Sequence, residues 1–285
     1  MIADVARPAA SGGLPNFLII GAMRSGTTSL ARYLGAHPDV FVAQDKELHF
    51  FDLNRDRGLD WYRAQFTGAE GERMVGEATQ TYMYDGEAVD RMASDLPDAK
   101  LIAILRDPVK RAYSHYWQNH ARGTEPLSFP DAIAAEPERL ASSDKQSRFF
   151  FSYVDRGLYV RQLRRICEHY PRASLHVLLF EDLRDAPAEA YRSACAFLGV
   201  DDDFLPPNIG VPINRYVSFR SVKLRALGKK LPRALRRAVG RLNTQEASYP
   251  PMDPGVRAEL RQRFAADNAA LETWLDRDLS EWRRR

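Results

Sequence analysis

The sequence is poor in cysteine and contains no long hydrophobic run. Cys167 and Cys195 are the only two cysteines in 285 residues, and each lies in a segment with the pattern of an apolar helix face. Buried thiols therefore fit this chain better than a disulfide. Two cysteines and six scattered histidines also do not suggest a metal site. No run of about 18 apolar residues occurs, which argues against a membrane span.

Charge of one sign is not in excess either. The chain has 41 Lys and Arg residues against 38 Asp and Glu residues, for a net charge of +3. This balance argues against a basic nucleic-acid-binding chain. Residues 1–13 lack the apolar core of a signal peptide. We therefore expect a cytoplasmic protein with a flexible N-terminal tail over residues 1–14 and no nucleic-acid partner.

What the sequence does contain is an alternation of strand and helix patterns, which is typical of an α/β fold with a mainly parallel sheet. Strands are predicted at 17–20, 40–42, 101–105 and 175–180. Helices are predicted over about 27–34, 107–120, 158–170 and 186–198, with a last one starting at Asp253-Pro254. Nothing in the composition divides residues 15–285, so we expect a single domain with a central sheet flanked by helices.

The first predicted strand runs into a glycine-rich turn, GAMRSGTT at residues 21–28. Such a turn points backbone N–H groups at one spot, and the dipole of the next helix adds positive potential there. Arg24 adds a cation, while Ser25, Thr27 and Thr28 add hydroxyls. A tight turn that binds nothing would also explain the glycines, but the added groups favour an anion site. Thr27 stands where ATP-hydrolysing loops have Lys, which disfavours an ATP site.

A second anion site is predicted after the strand at 101–105. Arg106 follows that strand, at the edge where open α/β sheets bind ligands. Arg111 and Ser114 lie one turn apart on the same face of the next helix. An Arg fork and a hydroxyl suit a terminal phosphate, although either residue alone would fit ordinary packing. Two such sites without a metal motif indicate a ligand with two phosphate groups.

These motifs resemble those of sulfotransferases that use 3′-phosphoadenosine 5′-phosphosulfate (PAPS), particularly the bacterial and heparan-sulfate members. GAMRSGTTSL resembles their 5′-phosphosulfate loop, and LRDPVKRAYSHY resembles their 3′-phosphate motif. Segments 180–200 and 268–282 also resemble the family, so the resemblance covers most of residues 15–285. It implies a P-loop NTPase-like sulfotransferase fold, with PAPS as the sulfonate donor, PAP as the product and no metal.

The resemblance places the donor contacts in three segments of the chain. The residues implied in the glycine-rich turn are Arg24, Ser25, Gly26, Thr27 and Thr28. The residues implied at the 3′-phosphate are Arg106 and Ser114. INRYVSFRSVK, residues 213–223, resembles the late loop that closes over the cofactor, and it is expected to add Arg220 and Ser221.

The segment AQDKELHFFD, residues 43–52, resembles the family's Lys-Glu-x-His-Phe-Phe segment. This implies that Glu47 is the general base that removes the proton from an acceptor hydroxyl, with His49 as the alternative base. Lys46 is expected to guide the acceptor or the sulfonate. Arg24 matches the family's loop cation, and it would stabilise negative charge on the leaving phosphate. Transfer is expected to be direct and in line.

The sequence leaves two interpretations open for the residues that would bind the acceptor. In GEATQTYMY, residues 76–84, Thr79 and Tyr82 are expected either to line the acceptor cleft or to pack in the core. Residues 220–241 carry nine Lys or Arg and no acidic residue. This segment is either a solvated helix face or a cationic rim, and a rim would allow peripheral membrane contact.

The leading hypothesis is therefore a PAPS-dependent O-sulfotransferase. Its acceptor would be a carbohydrate, a lipid-linked glycan or a natural-product alcohol. Two alternatives stay open: a phosphate-loop nucleotide kinase or ATPase, and a non-catalytic module that binds anionic glycans. The oligomeric state and the identity of the acceptor are not specified by the sequence.

Overall fold

The computed structural model describes residues 13–45, 47–142, 144–211, 217–219, 244–246 and 249–284. These residues fall into two compact units. The first is drawn from Met1–Pro108, Leu158–Val211 and Ala266–Arg285, and the second from Val109–Gly157 and Pro212–Ala265. Each unit is described separately below. One domain over residues 15–285 stays a prediction from the sequence.

A five-stranded parallel sheet forms the centre of the first unit. Its strands are β1 (Phe17–Gly21), β2 (Val40–Val42), β3 (Met74–Ala78), β4 (Lys100–Leu105) and β5 (Leu175–Leu179). They are arranged in the order β2-β3-β1-β4-β5, and every neighbouring pair is parallel. All residues of β1 and β3 are buried, as expected for a parallel sheet covered on both faces. The predicted α/β fold with a mainly parallel sheet is confirmed.

The connections between strands are mostly helical. The helices of the described residues are α1 (Thr27–Leu34), α2 (Gly58–Ala64), α3 (Gly86–Asp95), α4 (Pro108–Arg122), α5 (Phe129–Ala134), α6 (Glu136–Ala141), α7 (Lys145–Phe151), α8 (Tyr159–His169), α9 (Phe180–Asp185), α10 (Pro187–Leu198), α11 (Pro254–Leu275) and α12 (Glu281–Arg284). In the second unit, β6 (Val217–Phe219) and β7 (Thr244–Glu246) form an antiparallel pair. Within the described ranges, no helix is long and apolar enough to cross a membrane.

The predicted strands and helices are all observed, with small shifts at their ends. The main omission is β3, whose sequence MVGEA is interrupted by a glycine and a charged residue. Gly76 lies opposite Phe17 in the sheet, and Glu77 is buried at 1% exposure. A carboxyl group is rarely buried unless it is hydrogen bonded, so a glutamate is not expected inside a buried strand. For this reason the sequence MVGEA was not recognised as a strand.

Aromatic side chains anchor the chain that follows β2. Phe50 and Phe51 are fully buried, and the Phe50 ring stacks on Tyr62 with ring centroids 4.2 Å apart. Both phenylalanines belong to the hydrophobic core of the first unit. They therefore act as core residues, and they anchor one end of the segment that carries Glu47.

The predicted helix faces are also observed. On α8, Tyr159, Leu163 and Ile166 are fully buried, while Cys167 is half-buried. Cys195 on α10 is buried, and both cysteines are free thiols.

Gly76 allows β3 to approach β1 closely, and a side chain there should be costly. A Cβ at this position would lie 2.5 Å from the Phe17 carbonyl oxygen and would also meet the Phe17 ring. We expect Gly76→Ala to lower the free energy of unfolding by about 1–3 kcal/mol, the usual range for an overpacked core. Urea denaturation provides the measurement. Gly255→Ala is the control, because its Cβ would meet only the Asp253 side chain, and an unchanged Gly76→Ala midpoint would contradict the close approach.

Candidate active site

Candidate site residues collect where the parallel strands of the first unit end. The carboxyl ends of parallel strands meet at one edge of a sheet. Arg24 follows β1, Glu47 and His49 follow β2, Gln80 follows β3, and Arg106 follows β4. Since β3 lies between β2 and β1, and β4 lies on the other side of β1, these residues are ordered along the edge as their strands are.

Hydrogen bonds join these residues in the same order. Gln80 Nε2 donates to Glu47 Oε1 over 2.7 Å, and Gln80 Oε1 accepts from the Arg24 backbone N–H over 3.3 Å. Arg106 Nη1 in turn donates to the Arg24 carbonyl oxygen over 3.0 Å. We call this chain of bonds from Glu47 to Arg106 the edge row. It links the predicted base directly to the predicted phosphate loop.

Gln80 is the member of the edge row that the sequence did not identify. Because its side-chain oxygen accepts from Arg24, its NH₂ group must face Glu47. The amide is therefore oriented by both neighbours. In the sequence, Gln80 appears only as an uncharged residue at a strand end, and its role depends on strand order that no local pattern encodes.

The glycine-rich turn of residues 21–28 has the features of an anion site. Gly26 is the N-cap of α1, adopts a left-handed φ of 94° and provides no side-chain cap. The hydroxyl of Ser25 is fully buried and has no hydrogen-bond partner among the described residues. A buried polar atom of this kind normally has a partner. An uncapped helix N-terminus with a buried donor beside it fits a phosphate group.

Left-handed backbone is concentrated in the edge row and beside it. Outside glycine, positive φ values occur in the described residues at Arg24 (69°), Glu47 (65°), His49 (51°) and Asp276 (51°). Such conformations cost about 1 kcal/mol or more each, and they persist where the surrounding structure holds them. Three of the four lie at the predicted catalytic residues, which supports a functional role for this edge of the sheet.

His49 lies between two carboxylates. Its Nδ1 is 3.0 Å from Asp52 Oδ2, and its Nε2 is 3.6 Å from Glu47 Oε2. Burial disfavours the charged ring, but hydrogen bonds and charge interactions with Asp52 and Glu47 outweigh it and raise the pKa of His49 to about 9. At neutral pH both ring nitrogens therefore carry protons. A protonated imidazole has no lone pair for a substrate proton, which favours Glu47 as the base.

Thr79 and Tyr82 lie beneath the segment that carries Glu47. Both side chains are fully buried, and both hydroxyls donate to the Glu77 carboxylate. This arrangement corresponds to the packing alternative considered for these two residues. Neither hydroxyl lies on a surface that an acceptor can reach.

In the second unit, Ser114 is buried and its Oγ lies 3.0 Å from the Tyr249 hydroxyl. Arg111 is fully buried and donates to the Tyr153 carbonyl oxygen. Arg111 thus binds the protein backbone in this unit instead of lying on an open face beside Ser114. The pairing of Ser114 with Arg106 at a 3′-phosphate stays a prediction.

Several predicted residues fall outside the part of the chain that the structure describes. They are Lys46, Arg220, Ser221 and the rest of the basic segment 220–241. Within the described ranges, no group of three or more His, Cys, Asp or Glu side chains is placed to hold a metal ion.

The parallel sheet and the glycine-rich turn after its first strand define an α/β protein of the phosphate-loop type. The chain belongs to the sulfotransferase family, because the family model described as "Sulfotransferase domain" matches residues 14–231. The predicted family is therefore confirmed, and the family supports sulfotransferase activity.

Individual proteins show the same similarity. A crystal structure of a sulfotransferase from Alicyclobacillus acidocaldarius is 34% identical, with a TM-score of 0.73 over 94% of this chain and 98% of that one. Human heparan sulfate glucosamine 3-O-sulfotransferase 3B1 is 29% identical over 90% of this chain. Mouse bifunctional heparan sulfate N-deacetylase/N-sulfotransferase 3 is 30% identical over 93% of this chain. The chain spans 62% and 30% of the lengths of these two relatives.

The raised pKa of His49 predicts how stability changes with pH. Its folded pKa of about 9 lies above the ordinary value of 6.5, so its contribution is complete below about pH 6.5 and is lost as the pH rises through 9. We expect His49→Gln to lower the free energy of unfolding by up to about 3 kcal/mol near pH 6 and by much less near pH 10. Urea denaturation at both pH values provides the measurement.

The control for this experiment is His169→Gln, because His169 pairs with Asp90 at the surface with 35% of its side chain exposed. It should change stability little at either pH, since exposed ion pairs contribute little. A His49→Gln effect of the same size at both pH values would show that His49 is not charged between its carboxylates.

Proposed function

We propose that this protein transfers the sulfonate of PAPS to an acceptor hydroxyl by direct in-line displacement and releases PAP. The observation that carries the proposal is the edge row. It connects Glu47, a candidate base, to Arg24 in the candidate phosphate loop through the single side chain of Gln80. Membership of the sulfotransferase family supports the reaction class and favours it over a nucleotide kinase or a binding module.

The turn of residues 21–28 would hold the 5′ end of the donor. The N-terminus of α1 and the hydroxyls of Ser25, Thr27 and Thr28 suit an anion, and Gly26 lets it approach the backbone. PAPS supplies a sulfonate joined to a phosphate leaving group. Arg24 stays charged throughout, so it acts by stabilising negative charge and by donating hydrogen bonds, not by giving up a proton.

Glu47 would remove the acceptor proton. Its side chain is 30% exposed, so an incoming hydroxyl can reach the carboxylate. Gln80 donates to one carboxylate oxygen, and the charged ring of His49 faces the other. Both neighbours therefore present N–H groups to the carboxylate that would accept the proton. We propose that His49 orients the Glu47 carboxylate and places a positive charge beside it, and that it does not act as the base.

The remaining assignments complete the donor site. Arg106 and Ser114 would bind the 3′-phosphate, and Arg220 and Ser221 would add contacts from the late loop. Lys46 would guide the acceptor or the sulfonate. Arg106 already supports the loop through the Arg24 carbonyl, and its guanidinium lies 4.7 Å from the Phe180 ring centroid.

The acceptor that we propose is a carbohydrate hydroxyl. The two curated relatives described above carry heparan sulfate in their names, one as a 3-O-sulfotransferase and one as an N-sulfotransferase. The test is incubation with PAPS carrying a labelled sulfonate and a panel of acceptors: neutral glycans, glycans with free amines, lipid-linked glycans and simple alcohols. Label on hydroxyls is expected, and label on amines alone would contradict O-transfer. Magnesium-dependent ATP turnover without sulfonate transfer would favour a kinase.

Replacing the proposed base should stop transfer without affecting donor binding. We expect Glu47→Gln to lower kcat by about 10²–10⁴-fold, the usual contribution of a general base. Calorimetry should show PAP binding close to that of the wild type. Glu87→Gln is the matched control, because Glu87 is a surface carboxylate on α3 with 55% of its side chain exposed. If Glu47→Gln also loses PAP binding, Glu47 is a structural residue.

The proposed 3′-phosphate contact can be tested with two ligands. We expect Arg106→Ala to weaken binding of PAP by about tenfold or more, since hydrogen bonds to charged groups contribute about 1.5–3 kcal/mol. Adenosine 5′-monophosphate, which lacks the 3′-phosphate, should be affected much less. Arg57→Ala is the control, because Arg57 stacks on Trp61 at an exposed position. Equal weakening of both ligands would show that Arg106 acts only through the loop.

A further inference from the structure

Beneath the site lies a buried carboxylate that the proposed mechanism does not use. Glu77 on β3 is 1% exposed and accepts three hydrogen bonds from side-chain hydroxyls. Tyr62 and Tyr82 donate to its Oε1 over 3.0 and 2.8 Å, and Thr79 donates to its Oε2 over 2.6 Å. The pKa of Glu77 is raised from its ordinary value, because the effect of burial outweighs the opposing hydrogen bonds from these hydroxyls.

Two of the three hydroxyls also hold the backbone of the segment after Glu47. Thr79 Oγ1 accepts from the His49 N–H over 3.3 Å. The Tyr82 hydroxyl accepts from the Phe50 N–H over 2.8 Å and more weakly from the Phe51 N–H over 3.4 Å. Three consecutive backbone amides are thus bonded to Glu77 through a single intervening hydroxyl in each case.

The carboxylate gives these bonds their direction. Each hydroxyl has one hydrogen, and it donates that hydrogen to a Glu77 oxygen. The lone pairs of Thr79 and Tyr82 then face the backbone amides. In a buried hydrogen-bond network of this kind, each bond strengthens and orients the next.

We propose that Glu77 is a positioning residue for the proposed base. Acting through Thr79 and Tyr82, it holds residues 49–51 in place and thereby keeps Glu47 and His49 in their left-handed conformations. The inference rests on the proposed role of Glu47. A left-handed conformation at a non-glycine residue persists only where surrounding contacts stabilise it. The direction of the Glu47 carboxylate depends on that backbone conformation.

The network contains its own matched control. Tyr62 and Tyr82 are both fully buried, and both donate to the same oxygen of Glu77. The Tyr82 hydroxyl also accepts from the backbone N–H groups of Phe50 and Phe51, whereas Tyr62 contacts this segment by stacking its ring on Phe50. Tyr62→Phe and Tyr82→Phe therefore delete equivalent hydroxyls from the carboxylate, and only the second removes a link to the segment.

The experiment measures hydrogen exchange and turnover in both variants. Exchange is followed by mass spectrometry on the peptide covering residues 47–53, and turnover is followed as PAP release from PAPS with water as the acceptor. We expect Tyr82→Phe to raise the rate of amide exchange in this peptide about tenfold and to lower kcat about tenfold. The KM for PAPS should stay unchanged. Tyr62→Phe should leave both quantities near those of the wild type.

Equal effects of the two variants on exchange and kcat would overturn the inference, because Glu77 would then act only on overall stability. Wild-type exchange and kcat in Tyr82→Phe would overturn it as well. Glu47→Gln is measured in parallel to separate the two proposals. If Glu47→Gln keeps its kcat, the proposed base is wrong, while the exchange comparison still decides whether Glu77 holds the segment.

Discussion

The parallel pairing of β3 between β1 and β2 is the constraint on which the rest of the site depends. Close approach of β3 to β1 is possible because Gly76 has no side chain where Phe17 lies. This pairing brings the ends of three strands together, and Gln80, which follows β3, lies between the residues that follow β2 and β1. A polar side chain after a strand end thereby connects the proposed base to the candidate phosphate loop.

Charge is balanced within the segment after β2 in an unusual way. His49 faces Asp52 on one side and Glu47 on the other, and the protonated ring neutralises part of their combined charge. Asp52 is held in addition by the Thr81 hydroxyl. The imidazolium ring thus lies between the buried carboxylate of Asp52 and the more exposed carboxylate of Glu47.

Local sequence patterns were sufficient to predict the strands and helices whose buried positions are all apolar. The apolar runs of β1, β4 and β5 and the stripes of α8 and α10 could be predicted because burial dictates their composition. The strand β3 could not, because Gly76 and Glu77 are tolerated only through contacts with residues distant in sequence. Gln80 was missed for the same reason. The glycine-rich turn and Glu47 could be recognised by resemblance, whereas the bonds that connect them follow from strand order.

The backbone of the segment that carries Glu47 is held by the hydroxyls of Thr79 and Tyr82, which lie in the chain directly after β3. Such an arrangement separates the part of the chain that must stay constant for chemistry from the parts that can vary to recognise a new acceptor. A scaffold built this way can diverge: insertions and substitutions in the surrounding loops can change the molecule that is modified without rebuilding the apparatus that modifies it.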